Sequence, residues 1–285
     1  MTLTILRDFK TQRFWRILFV QTFAFVGVVA ALAGLIDVLK PNAISKVHLP
    51  LGWAVGGLAL IYGLYRAWPR PVEQRYSKPN TQIRIVEGDL FKQDANLVIG
   101  MCDTFDTAVP HIIQAGGVQG QFLSQVYKSD VATLDADITV ALAGKEPVGK
   151  LDKAGKQDVY PIGTVAVIRM LRRHYFCVAY SRMSAKNQAQ ATADGIWKSL
   201  AALWDEVREH ANGDPLAMPV IGGGLSRISQ VLPAQDSIRL TALSFIFASR
   251  DSRVCDRLDI VVRKEDVKNL DMLELQAFLR SLQEF

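Results

Sequence analysis

Sulfur and imidazole are scarce in this chain. Its 285 residues hold 3 cysteines and 4 histidines. Cys102, Cys177 and Cys255 stand nowhere near the close spacing of a metal finger, which argues against a metal centre. An odd number of widely spaced thiols also excludes a disulfide-stapled scaffold; they read as reduced thiols of a cytosolic domain. Charge is missing too, but only locally. Residues 17–36 carry no charged side chain, with Gln21 and Thr22 their only clearly polar members, and residues 51–65 are uncharged as well. Neither stretch has the polar face of a soluble amphipathic helix.

What charge there is sits in telling places. The formal net charge is +5 and the pI about 9.1. Arg7, Lys10, Arg13 and Arg16 precede the first apolar run, and Arg66, Arg70, Arg75 and Lys78 follow the second. Basic residues flanking apolar spans suit anionic lipid and the positive-inside rule rather than a nucleic-acid face, so no nucleic-acid partner is expected. At about 1.5 Å per residue a helix over 17–36 measures about 30 Å, the thickness of a bilayer core. Phe14, Trp15 and Phe19 lie at its entry, and Tyr62, Tyr65 and Trp68 at the exit of the second run, where aromatic belts form. The connecting segment carries only Lys40 and Lys46 as fixed positive charges, which places both termini in the cytoplasm. The expectation is a two-pass hairpin in a bacterial inner membrane, with helices over about 17–38 and 50–68 after a basic N-terminus (1–16). Gly52 and Gly56, and Ala30 and Gly34, have the four-residue spacing that lets helices approach closely in lipid. A cleaved signal peptide ending at Ala31-x-Ala33 and a buried soluble helical hairpin are the competing accounts.

Pro69, Pro71 and Pro79 mark residues 69–80 as an extended linker. Beyond it, residues 81–285 alternate strand and helix patterns. Strands are expected at Thr81–Glu87, Asn96–Met101, Ile162–Ile168, Tyr175–Tyr180, Leu216–Ile221 and Leu258–Val262. Between the third and fourth, Arg169–His174 suits a hairpin turn. The clearest helix carries Ile196, Trp197, Leu200, Leu203, Trp204 and Val207, with both tryptophans as core anchors. Phe245 and Ile246 mark a second helix, and Leu273 with Leu282 a last one. Residues 128–158 have weak periodicity and read as an irregular insertion at about 128–160. This order gives an α/β fold, a three-layer α/β/α domain around a mixed sheet.

Two glycine-rich turns carry the candidate chemistry. One is Gly116–Phe122 (GGVQGQF). The other follows an apolar strand directly: Gly222, Gly223 and Gly224, then Leu225, Ser226 and Arg227. Glycine lets a ligand approach the main chain, and successive N–H groups there form an anion nest. At the carboxyl end of a strand, where open α/β sheets hold ligands, such a loop suits a pyrophosphate. The plain alternative is an ordinary strand-to-helix turn.

Four motifs in order resemble those of the macro domains, a family that binds ADP-ribose. Gly88-Asp89-Leu90 is similar to the family's G-D-I/L, in which the aspartate accepts a hydrogen bond from the adenine amino group. Asn96–Asp103 (NLVIGMCD) resembles D-A-I-V-N-A-A-N. Gly116–Gly120 (GGVQG) resembles G-G-V-D-G, and Pro219–Leu225 (PVIGGGL) resembles P-x-I-S-T-G-I, the two turns that hold the phosphates. The resemblance implies a ligand site of Asp89, Leu90, Asp103, Gly117, Val118, Gln119, Gly120, Gln121, Phe122, Gly222, Gly223, Gly224, Leu225, Ser226 and Arg227. Arg182 joins it as a candidate contact to phosphate or carboxylate. Two departures matter. Asp103 replaces the asparagine that contacts the distal ribose in hydrolytic members, and an aspartate cannot donate that amide's hydrogen bonds. Gly222 and Gly223 replace the S-T hydroxyl positions. Both argue against hydrolysis and for a ligand with a different distal group.

A macro domain behind two apolar helices is similar, over the whole chain, to the membrane-anchored macro-domain effectors of Thoeris anti-phage defence. That resemblance implies no cofactor and no metal, but an ADP-ribose-derived signal, histidine-ADP-ribose, made from NAD by a TIR-domain partner. It further implies homo-oligomerisation on binding and disruption of the lipid bilayer. A membrane-anchored ADP-ribosyl hydrolase, with Asp103, Asp106 and His111 as its only acid–base candidates, and a passive ADP-ribose reader are the other functions the residues allow.

Overall fold

The computed structural model describes residues 12–39, 49–67, 72–221 and 232–283. They form two compact units that divide between Arg70 and Pro71. In the first, helices α1 (Gln12–Leu39) and α2 (Leu49–Ala67) run back along one another. They meet at Gly63, where an added Cβ would fall 2.1 Å from Thr22 Oγ1 and 3.1 Å from a Leu18 methyl. The rings of Phe25 and Tyr62 lie 5.4 Å apart. The glycines expected to bring the helices together do not: at Gly34, Gly52 and Gly56 an added Cβ meets nothing within 4 Å. Many apolar side chains of both helices point outward, Phe23 at 70% and Trp53 at 76% exposure. One described helix is long and apolar enough to cross a membrane, over Phe14–Ile36 with a mean hydropathy of 2.2. Two helices were expected to pass that test. α2 is only 19 residues long and carries Arg66 in its last turn.

The second unit starts earlier than its prolines suggest. Val72–Tyr76, inside the expected linker, is strand β1; its ends Val72 and Tyr76 are buried, and it pairs antiparallel with β2 (Thr81–Glu87). After a 3₁₀ turn at Leu90–Lys92 come β3 (Asn96–Cys102) and helices α3 (Val118–Val126) and α4 (Val131–Ala141). A two-stranded ribbon follows, β4 (Gly149–Lys150) with β5 (Asp158–Val159), and then β6 (Val165–Arg169), β7 (His174–Met183) and β8 (Ala189–Gln190). Helix α5 (Ala193–His210), β9 (Leu216–Pro219), α6 (Ala234–Asp251), β10 (Arg257–Val262) and α7 (Met272–Ser281) complete the chain. The insertion is therefore not irregular. Asp130 caps α4 by accepting the Thr133 N–H at 3.1 Å, and Leu134, Ile138 and Leu142 bury one face. Interleaved Ala, Thr and Asp blur that stripe in the sequence.

The main sheet runs β1-β2-β10-β9-β3-β7-β6, with β8 on β7. β2, β10, β9, β3 and β7 are mutually parallel, while β1 and β6 run against them at the edges. α5, α6 and α7 cover one face over a core that includes Trp204 and Phe245; the 3₁₀ turn, α3 and α4 cover the other over Phe122 and Ile138. Trp204 is fully buried and donates its indole N–H to Ser244 Oγ at 2.8 Å. Trp197, the other expected anchor, is 37% exposed. It lies one position past Ile196, about 100° round the helix from the stripe 196-200-203-204-207. All three cysteines are buried.

Candidate ligand crevice

The site follows from how the strands are connected. β3 and β9 are neighbours, yet they pair only at Asn96↔Leu216 and Leu97↔Ala217. From β3 the chain leaves toward β6 and β7; from β9 it leaves the other way, toward β10. Loops that depart in opposite directions open a crevice at the carboxyl ends of two parallel strands, where doubly wound sheets take their ligands. Among the described residues, the loops after β2 and β3 and the start of α3 supply its candidate groups.

At the β2 end, Asp89 accepts the Phe91 N–H at 3.0 Å and so caps the 3₁₀ turn. Its other carboxylate oxygen makes no hydrogen bond among the described residues. Leu90 is buried in the core under α3. Next to them Glu87, the last residue of β2, holds a buried Oε2 without a hydrogen-bond partner among the described residues.

Gly117 is the N-cap of α3, with no side chain to satisfy the first turn. The amides of Val118, Gln119 and Gly120 therefore stand ready for an anion, reinforced by the helix dipole. Gln119 adds a buried Nε2 without a hydrogen-bond partner among the described residues. Gly120 is glycine for packing: an added Cβ would lie 2.5 Å from the Gln114 carbonyl oxygen. Gln121 donates its amide to Gly116 O at 2.9 Å. Phe122 does not line the crevice; its ring lies in the core, 4.9 Å from that of Tyr175 and 5.3 Å from that of Tyr127.

The β3 end is built differently. Residues 103–107 are buried throughout. The Asp103 N–H donates to Ser181 O at 2.8 Å, its carbonyl accepts the Tyr160 N–H at 2.9 Å, and its Oδ1 accepts the Met183 N–H at 2.8 Å. Burial raises the Asp103 carboxyl above its ordinary range, and the Met183 amide and the Arg182 charge pull it back. Arg182 itself is exposed, on β7 opposite Gln190. Asp106 is only 1% exposed and saturated with donors. Lys153 Nζ lies 2.8 Å from Oδ2 and 3.0 Å from Oδ1, the Lys156 N–H reaches Oδ1 at 2.9 Å, and Thr104 Oγ1 donates to Oδ2. Lys153 and Lys156 belong to the insertion, which thus crosses over the loop after β3. Gly155 makes the crossing possible at φ +89°, where an added Cβ would sit 2.5 Å from Asp106 Oδ1. Phe105, at φ +50°, meets the Tyr160 ring edge-on at 5.5 Å.

Gly222, Gly223, Gly224, Leu225, Ser226 and Arg227 lie outside the described residues. Their strand is described up to Ile221, which is buried and accepts the Ser237 hydroxyl at 2.6 Å. The sequence reading missed Lys153, because nothing in the sequence links it to an aspartate that far away. It also missed the buried polar atoms of Glu87 and Gln119. A cleft of about 540 Å³ between Ser77–Asn80 and Ser249–Arg253 lies at the amino ends of β2 and β10 and touches none of these residues.

No curated protein matches the chain. Among solved structures it is similar to the Oceanobacillus iheyensis macrodomain with MES bound (15% identity, TM-score 0.47, covering 74% of this chain and 99% of that one). It is also similar to a mutant of that macrodomain with ADPR (14%, TM-score 0.47, 74% and 97%). A mutant tomato leucine aminopeptidase is similar as well (14%, TM-score 0.42, 75% and 37%). These likenesses are too distant to speak for function. The sequence model of "Thoeris protein ThsA, Macro domain" matches residues 83–263. That range is more than half of the chain, and it includes β3, β9 and the turns beside the crevice between them; the chain belongs to the Thoeris ThsA macro-domain family.

Proposed function

We propose that this protein is a membrane-anchored sensor whose macro domain binds an ADP-ribose derivative in the β3–β9 crevice and answers by assembling and disrupting the bilayer. The observation that carries the reading is that the family match spans a switch-point crevice edged by an uncapped glycine turn at α3. The diphosphate rests on the amides of Val118, Gln119 and Gly120 and on the Gly222–Gly224 loop. Adenine is held at Asp89, and the distal group lies toward Asp103. The signal is made by a TIR-domain partner from NAD and carries a histidine on its distal ribose. An amine or imidazole there complements the Asp103 carboxylate. Ligand shifts the population by binding the assembled state more tightly than the free one.

Binding rather than turnover is the reading favoured for the same pocket. Lys153 neutralises Asp106, which is therefore no free base, and His111 is exposed. The test uses the full chain in lipid nanodiscs. Calorimetry should show tighter binding of histidine-ADP-ribose than of ADP-ribose, and light scattering should show growth in size on saturation. Equal affinities with unchanged size would leave a passive reader, and release of product from the conjugate would make it a hydrolase.

A further inference from the structure

One side chain beside the crevice sits at a register shift in the sheet. β7 pairs with β3 in step from Leu97↔Tyr175 to Met101↔Ala179, but the next pair is Cys102↔Ser181. Tyr180 is skipped in that pairing, and its side chain keeps the face of Phe176 and Val178. Its ring reaches across β3 onto Gly100. A Cβ at Gly100 would lie 2.4 Å from Tyr180 Cε1 and 3.4 Å from Cζ, so only the missing side chain admits the ring. Gly100 lies beyond Leu97, the last β3 residue that β9 flanks, so the ring borders the opening between those strands. Tyr180 packs partly on the α5-side core and is half-buried. The residues that follow it tie it to the Asp103 end: the Ser181 carbonyl accepts the Asp103 N–H, and the Met183 N–H donates to the Asp103 carboxylate, both at 2.8 Å.

We infer that the Tyr180 ring is the wall against which the distal sugar of an ADP-ribose ligand packs, and that it distinguishes ADP-ribose from ADP. The inference rests on the proposed reading of the crevice. An aromatic face offers a sugar apolar contact without charge, whereas the diphosphate and adenine are held on the far side by amides and Asp89.

The test is calorimetry on the full chain in nanodiscs, with ADP-ribose and ADP as probes. Tyr180→Ala should weaken ADP-ribose about tenfold, the scale expected for losing one buried apolar contact, and leave ADP unchanged. Tyr180→Phe should bind both as the parent does. Equal weakening of both nucleotides, or of neither, overturns the assignment. If Tyr180→Ala melts before binding is measured, Tyr180→Leu fills more of the space, and a smaller loss confined to ADP-ribose is expected. A parent protein that binds neither these nucleotides nor histidine-ADP-ribose would refute the sensor reading itself; a parent that binds histidine-ADP-ribose but neither nucleotide, or one that binds ADP-ribose while Tyr180→Ala binds it equally well, refutes only this assignment.

Discussion

The two ends of the crevice are made to different rules. At the β2 end a single carboxylate, Asp89, caps a short turn and keeps an oxygen to spare. At the β3 end two carboxylates three residues apart are buried, one by backbone amides and one by a lysine from the insertion. The first arrangement is open and replaceable. The second is closed, and its charges are balanced before any ligand arrives. The comparison teaches where specificity is built. On the proposed reading, a nucleotide end shared by many ligands needs few fixed groups, whereas the end that discriminates is held by a strap from elsewhere in the chain. It also accounts for aspartate where the resembling family has asparagine. Asp103 serves the backbone of β7, and its charge is moderated by Arg182.

The contrast is broken most severely at Lys153. Lys153→Met leaves Asp106 buried without its counter-ion, and denaturant titration should show a loss of about 3–5 kcal/mol. Adding Asp106→Asn should restore much of it. A loss below about 1 kcal/mol would mean that the strap is held by something other than this pair. Asp89→Ala tests the open end. ADP-ribose binding should weaken by about 1–3 kcal/mol with little change in melting temperature, because the carboxylate serves the ligand more than the fold. The smallest effect is one of pH. The folded-state value of Asp103 is raised above the ordinary 3.8. Its contribution to stability is therefore complete below that ordinary value and is lost as pH rises through the raised one. Asp103→Asn removes the titration, so its stability should fall less than the parent's over that window. Parallel stability–pH curves for the two proteins would count against the assignment.

Much of the fold was legible because its signals are local. The stripe Ile196-Leu200-Leu203-Trp204-Val207 and the apolar run Asn96–Cys102 declare themselves by period and composition. Strand β1 was hidden because Pro71 and Pro79 bracket it, and proline reads as linker. Its evidence lies in pairing with β2 and in Tyr76, whose hydroxyl reaches Leu279 O at 2.8 Å. Helix α4 was hidden by its small and polar residues. In the candidate site, Gly117 and Asp89 stand in contiguous motifs, which makes them legible as candidates from the sequence. Lys153, Gly155 and Tyr180 act through contacts that only tertiary folding creates, and a register shift leaves no mark in the residues that form it. Phe122 was misjudged for the opposite reason: it belongs to the same contiguous glycine-rich motif, but its place on the helix turns it into the core.

The buried sulfurs have a practical bearing. Burial raises the Cys177 and Cys255 thiols to about 12, and Cys102 is shifted the same way. At neutral pH none offers much thiolate to an alkylating reagent. A cysteine placed at an exposed position would thus be the sole reactive handle on the native protein. Spectroscopic tags could follow the encounter of two copies without first stripping any native residue.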